Sequence, residues 1–512
     1  MSKLSHSAVA LDITVFVCGA VVMIFEITGS RVLSPFLGAS TYVWTSLIGV
    51  ILGSLSLGYY LGGRLADKWP DVKVLALTIF LAAGFISLTV LSKELVLAAI
   101  ETAPVGIELR SVIASLILFA PASVCLGFVT PYCVRLKMAS VEDSGSTVGR
   151  LYALSTVGSI FGTFAAGFFL IPFVGSIRTL YALSIVLILL SIFLVPFVIS
   201  RISIGVLTVF VLSMVANEAG TLLLRDQNGL HDIDTEYSRV QVFNATDPKT
   251  GKPIRALATD PYFTQSAMFL DSDEPVFDYS RYYHLVRHVK PDFENVLVIG
   301  GAGYSVPKDF LRRYASAKID VVEIDDGMTE IAREYFDLVD DARINIFHED
   351  ARTYLRRTRS GAYDAIIMDA FGSLFSVPYQ LTTIEAVGEI RRNLRDDGVV
   401  IFNLGSAISG EASHFLQAEI ATYRAVFPRV YLFKVKSEYA DDRLQNLIIV
   451  ASASSAPLLL DSADGENKEL LGHLYDLQDN SDSPTSARVL TDDLAPVEYY
   501  NAKAQNVFLD GR

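Results

Sequence analysis

The sequence predicts a multi-pass bundle of membrane-spanning α-helices joined to an α/β Rossmann-like domain, with a small β-rich subdomain between them. Three observations lead there. Apolar runs of membrane-crossing length recur through the first 220 residues or so, and the charged residues crowd into the second half. After Pro291, short buried runs alternate with helical stretches, the pattern of a largely parallel sheet. At 512 residues the chain is also longer than one hydrophobic core usually serves.

The apolar runs lie near residues 11–30, 42–63, 74–92, 111–133, 151–172, 179–199 and 202–220, close to the ~20 residues that a helix needs to cross about 30 Å of hydrocarbon. The last two are the least separated, and the apolar stretch Leu95–Ile107 leaves the parity of the count open. The first run lacks a small-residue cleavage site and carries Glu26, so it reads as a retained span. A carboxylate there costs on the order of 2.5–3.5 kcal/mol and should face the bundle interior, either in an ion pair or toward a cationic ligand. Gly53, Gly58, Gly62, Gly158 and Gly162 suit close helix packing.

With seven spans, the loops on the N-terminal side hold Lys3, Arg64, Lys68, Lys73, Arg135, Lys137, Arg150 and Arg201, against Arg31, Lys93, Arg110 and Arg178 on the other. That excess marks the N-terminal side as cytoplasmic and puts the C-terminal half on the opposite side. Net charge is −14, and no basic stripe appears that would neutralise phosphates, so nucleic acid is not an expected partner. Cys18, Cys125 and Cys133 all fall inside predicted spans and offer neither a metal site nor a disulfide framework.

The transmembrane domain is read as residues 1–222. Residues 223–290 form a connector and a small β-rich subdomain, with a turn at Asp247-Pro248 and Thr250-Gly251 and strands around Arg255–Thr259 and Ala267–Asp271. A Rossmann-like domain over 291–460 follows, and 461–512 is a C-terminal extension. Its strands read "NVLVIG", "KIDVVEID", "RINIFHED", "YDAIIMDA", "GVVIFNLG", "RVYLFKV" and "NLIIVAS", the last two joined by a short polar loop and so paired antiparallel. One antiparallel strand at the end of a parallel sheet is the arrangement of S-adenosylmethionine-dependent transferases, by analogy of fold.

The chemistry collects at strand ends. Gly300, Gly301 and Gly303 follow the first strand and precede a helix starting near Ser305, so backbone can come close to a ligand there. Glu323 stands about 20 residues on, where an acid accepts hydrogen bonds from ribose hydroxyls. Asp350, ending the third strand, is placed to accept from an adenine amino group, whereas His348 and Glu349 read as solvated or structural. Asp369, ending the fourth, can position an amine and take its proton, or else cap the segment after it. Pro378 and Tyr379 belong to the loop expected to close over an acceptor, and Thr382 or Thr383 to a helix cap.

These motifs resemble the polyamine aminopropyltransferases, the spermidine synthases, in a membrane-fused form. The resemblance spans about 235–460 and rests on "YYHLVRHVKPDFENVLVIGGAG", "VVEID", "HEDAR" and "MDAFGS". It implies that the glycine turn and Glu323 hold the nucleoside of decarboxylated S-adenosylmethionine, and that Asp350, with Ala351 beside it, holds the adenine. It implies further that Asp369 deprotonates the attacking amine and that Tyr282 lines the amine pocket. Three of the family's carboxylates are missing. Gly303 stands where an aspartate holds the aminopropyl ammonium, Gly372 where the D-x-x-D segment has its second acid, and His284 where a glutamate follows the tyrosine.

The resemblance therefore implies a membrane-bound transferase that moves an aminopropyl group to a small-molecule amine such as putrescine, requires no metal, and is able to pair as a homodimer in the lipid bilayer. Two other readings stay open: a methyltransferase-like enzyme using S-adenosylmethionine itself, and a polyamine transporter or sensor with a regulatory nucleoside-binding domain. A donor made in the cytosol puts the soluble domain in the cytoplasm, against the loop charges.

Overall fold

A computed structural model describes residues 2–38, 40–101, 103, 105–138, 144–195, 201–259, 263–370, 377–476 and 487–510. The chain divides into two compact units, Met1–Arg239 and Val240–Arg512.

The first unit is helical. Its helices are α1 (Ser2–Leu37), α2 (Thr41–Lys68), α3 (Val72–Glu101), α4 (Ile107–Leu118), α5 (Ala120–Lys137) and α6 (Ser144–Ala165). A π-helical turn, Ala166–Leu170, leads into α7 (Ile171–Val174), followed by α8 (Ser176–Leu194) and α9 (Arg201–Asn228). Among the described residues, five helices are long and apolar enough to cross a membrane. The fourth expected run is instead a pair, α4 and α5, bent by 57°. The bend falls where Pro121, which has no N–H to continue the α4 ladder, opens α5. The seventh run is a shorter apolar helix, Ile204–Gly220, and Leu95 simply continues α3.

The glycines act as expected in all but one case. A Cβ at Gly58 or Gly62 would strike the backbone of α5 at Val124 or Phe128, and one at Gly158 or Gly162 the backbone of α1 at Phe16 or Ala20. Gly53 instead faces open space. At the end of the bundle where α1 finishes, Arg31 donates to the carbonyl of Glu236, and Asp234 accepts from the amide and hydroxyl of Ser176, both at 2.8 Å. Residues 231–239 thus lie at the end opposite the start of α1. Strand β1 (His231–Asp234) is the first element after the bundle.

The second unit opens with an antiparallel set, β2 (Arg239–Thr246), β3 (Pro253–Ala258) and β4 (Thr264–Phe269). The main sheet comprises β5 (Asn295–Ile299), β6 (Lys318–Glu323), β7 (Ile344–His348), β8 (Tyr363–Met368), β9 (Leu394–Ser406), β10 (Arg429–Lys434), β11 (Gln445–Ser452) and β12 (Leu474–Tyr475). Its order is β12-β10-β11-β9-β8-β5-β6-β7. The one strand that runs against the others in the Rossmann core, β11, is inserted between β9 and β10 and pairs antiparallel with both, rather than sitting at the edge. Residues beyond 460 supply β12 to this sheet.

Alternation along each strand explains the layering. Leu297, Ile299, Ile366, Met368 and Phe402 share one core, while Val296, Val298, Ile367, Val399 and Ile401 share the other, so both faces are covered. The helices that cover them include α10 (Leu285–Val289), α11 (Ser305–Arg313), α12 (Asp326–Tyr335), α13 (Ala351–Arg357), α14 (Ile384–Asn393), α15 (His414–Arg424), α16 (Gly465–Leu471) and α17 (Val497–Asp510).

Asp364 is fully buried in β8 and ties two strand starts to a third. It accepts from the amides of Glu294 and Asn295 at 3.0 and 2.9 Å and from Arg395 at 2.6 Å. Alanine at 364 leaves two amides without their acceptor, while Arg395, 43% exposed, still reaches water, so urea unfolding of this unit should show a loss of about 1–3 kcal/mol.

Candidate active site

The glycine turn sits between the ends of β5, β6 and β8. Gly300 has φ +96°, and a Cβ there would lie 2.6 Å from the carbonyl oxygen of Asp369, so only glycine lets the two strand ends approach. Glu323, buried at the end of β6, closes the turn from below. One carboxylate oxygen accepts from the amides of Gly301 and Ala302 at 2.8 and 3.2 Å, and the other from Asp325 at 3.0 Å. Ala302 and Tyr304 hold φ of 44° and 54°, a left-handed conformation that costs a side-chain-bearing residue about 1 kcal/mol or more and is kept at functional turns when the surroundings enforce it. The Tyr304 ring, buried and bonded to Thr329 at 2.6 Å, lies against Gly301 and supplies that enforcement.

Gly303 is hemmed in. A Cβ there would stand 2.5 Å from the Ser266 hydroxyl and 3.1 Å from Phe336, so a side chain at 303 fits only if those two side chains give way. The place of the family's aspartate is thus filled by the small subdomain.

Asp369 follows β8 at the carboxyl edge. The Tyr283 hydroxyl donates to its Oδ1 at 2.9 Å. Burial pushes the Asp369 carboxyl up to about 7, while Tyr283 and then Asn403 of β9 pull the other way by favouring the charged form. Tyr279 completes an aromatic wall, stacked on Phe277 (5.5 Å between centroids) and edge-on to Tyr283 (6.0 Å). Burial, and next the charge of Asp369, hold both tyrosine hydroxyls well above their ordinary range.

The structure brings together Gly300, Gly301, Gly303, Glu323 and Asp369. Asp350 ends β7 at the same sheet edge and caps α13, accepting from Thr353 at 2.9 Å, with Ala351 opening that helix. Glu349 pairs with Arg357 and His348 bonds Thr329, both structural contacts as expected. Thr383 caps α14. Gly372 lies outside the described residues. Tyr379 is half exposed, in the segment after Asp369.

Tyr282 is not at the carboxylate. Its hydroxyl is spent on the carbonyl of Lys434 at 3.0 Å and on His473 at 2.7 Å, and the tyrosine that meets Asp369 is its neighbour, Tyr283. His284 is likewise withdrawn, bonded to Asp309 at 2.6 Å and to Tyr314 at 2.8 Å. All three belong to the 3₁₀ segment Asp278–His284, where successive side chains turn by about 120°, so adjacent residues serve different neighbours. Tyr283, Tyr279 and Asn403 had no motif to mark them. The doubled tyrosine in "RYYH" was the one available signal.

A glycine turn, the acid that closes it and a buried carboxylate thus stand together on one sheet edge. The spermine/spermidine synthase domain matches residues 276–444. A polyamine aminopropyltransferase of Vibrio vulnificus is 30% identical over 218 residues, which cover 40% of this chain and 69% of that protein. One from Lachnospira eligens is 31% identical over 193 residues, covering 37% of this chain and 63% of its own length, so the match spans under two thirds of that relative. Polyamine aminopropyltransferase 1 of Streptomyces coelicolor is 24% identical over 430 residues, 77% of this chain and 76% of that one. Since the second unit runs only from Val240 to Arg512, that likeness reaches into the helical unit. The chain belongs to the polyamine aminopropyltransferase, or spermidine synthase, family.

Proposed function

We propose that the protein is a membrane-held aminopropyltransferase whose donor is decarboxylated S-adenosylmethionine and whose acceptor is a small amine of the putrescine class. The observation that carries this reading is the Asp369 carboxyl, buried and held by Tyr283, beside a glycine turn that Glu323 closes. Gly301, Glu323, Asp350 and Ala351 would hold the nucleoside. The acceptor nitrogen attacks the methylene next to the sulfonium, a C–N bond forms, the C–S bond breaks, and its electron pair leaves on sulfur as neutral methylthioadenosine. Asp369 takes the proton from the nitrogen. Phe277, Tyr279 and Tyr283 present aromatic faces to a cationic chain where the family's further carboxylates are absent.

Purified protein mixed with decarboxylated S-adenosylmethionine and a panel of amines should release methylthioadenosine. Silence with every amine, together with methyl transfer from S-adenosylmethionine, would replace this reading with the methyltransferase one.

Tyr283→Phe removes the hydrogen bond that favours ionised Asp369. The inflection of the pH–rate profile should therefore move above about 7 in the variant, with the alkaline plateau kept.

The exposed apolar side chains of the first unit, among them Phe168, Phe169, Phe173, Leu189 and Phe193, support a place in the lipid bilayer. A donor made in the cytosol requires residues 231–239 on the cytoplasmic side, against the excess of loop charge near the start of α1. A cysteine introduced at exposed Tyr237, with the three native cysteines removed, should then be protected from an impermeant maleimide in intact cells and react only after lysis. Labelling before lysis would put this segment on the outer side, as the loop charges do.

A further inference from the structure

We propose that Arg352 and Asp492 are positioning residues that clamp the segment 377–383, the acceptor wall, against the nucleoside end of the site. The idea rests on the transferase reading for what the wall does, and on geometry for the clamp.

Arg352 follows Asp350 by two residues and its side chain is 7% exposed. One terminal nitrogen donates to the carbonyl of Gln380 at 2.8 Å and to the Thr383 hydroxyl at 3.0 Å, and the other to Asp492 at 3.0 Å. Asp492 also accepts from Thr383 at 2.6 Å, closing a ring of three side chains. Two backbone contacts dock the C-terminal stretch on the same wall: the Ile384 amide donates to the Leu490 carbonyl at 2.8 Å, and the Asp492 amide to Glu385 at 3.0 Å. Beneath it, Val377 and Leu381 share a core with Met368, the residue before Asp369.

One guanidinium therefore joins three places far apart in sequence: the end of β7 that carries Asp350, the wall that carries Tyr379, and the chain's C-terminal stretch. The planar fork matters, because a lysine reaches one of these partners as a point charge and leaves the others unmet. Removing Asp492 leaves a buried cation without its counter-charge, which is relieved when the wall moves away and admits water. An acceptor meeting a displaced wall loses its alignment with Asp369, whereas a nucleoside held by Glu323 and the glycine turn does not.

Asp492→Asn and Arg352→Lys separate these effects, read by hydrogen–deuterium exchange and by steady-state kinetics on the full-length protein in detergent. Exchange across 377–383 should quicken in both variants, with protection of β5 and β6 unchanged. The KM of the amine should rise by roughly tenfold or more, while that of the donor changes little. Unchanged exchange at 377–383, or equal weakening of amine and of methylthioadenosine binding, overturns the clamp. The exchange measurement needs no turnover, so a protein that transfers nothing fails the transferase reading and still decides this one. If Asp492→Asn does not fold, Thr383→Val, which removes the bonds of the Thr383 hydroxyl to Arg352 and Asp492 at nearly the same volume, replaces it.

Discussion

Asp369→Asn lowers amine-dependent methylthioadenosine release by about 10²–10⁴-fold, the usual contribution of a positioned general base, while methylthioadenosine still binds. Asparagine keeps the shape and the contact with Tyr283 but cannot accept a proton. In the native protein the carboxyl is raised to about 7 by burial, so the rate should climb with pH through that value and level off above it. Stability carries the opposite sign. A carboxyl whose folded pKa lies above its ordinary 3.8 costs nothing below the ordinary value, and progressively destabilises the fold as pH rises toward 7. Asp369→Asn should therefore melt higher than the native protein at pH 8 and match it near pH 4. An asparagine variant that transfers as fast as the native protein refutes the assignment.

Glu323→Gln weakens nucleoside binding by roughly 10- to 100-fold, since a charged acceptor that serves three backbone amides is replaced by a neutral one whose NH₂ opposes the amides it faces. The charged hydrogen bonds also hold Ala302 in its left-handed conformation, so the turn relaxes when they go. Calorimetry with methylthioadenosine measures the loss directly. The ligand-induced rise in melting temperature should shrink in parallel, because a ligand stabilises the native state only in proportion to how far it saturates it.

The two variants act on different halves of the site, which is where the sequence and the structure divided the work. Strand runs and the glycine turn are local signals. Gly300, Gly301 and Gly303 follow directly on β5, and Glu323 ends the next strand, so a period-2 pattern and one spacing locate the glycine turn and its acid. Asp369 is legible for the same reason, as the acid that directly follows a buried strand. The sheet class was legible too, but not that β11 slips between β9 and β10, because pairing partners are chosen by which faces must be buried and not by order along the chain.

The amine end was not legible in this way. Whether Tyr282 or Tyr283 meets the carboxylate depends on which face of a 3₁₀ segment packs on the sheet. The partners of Asp369 come from residues 86 positions upstream, at Tyr283, and from the middle of β9, at Asn403. Ser266 fills the space beside Gly303 from a separate sheet, and Arg352 finds Asp492 140 residues away. The sequence by itself determined the two units, the strand ends and the acid that closes the glycine turn, because each is written in neighbours a few residues apart. Only the tertiary structure decided which tyrosine, which amide and which distant aspartate surround Asp369 and its wall, because those contacts form when elements remote in the chain are packed edge to edge and their side chains exclude water together.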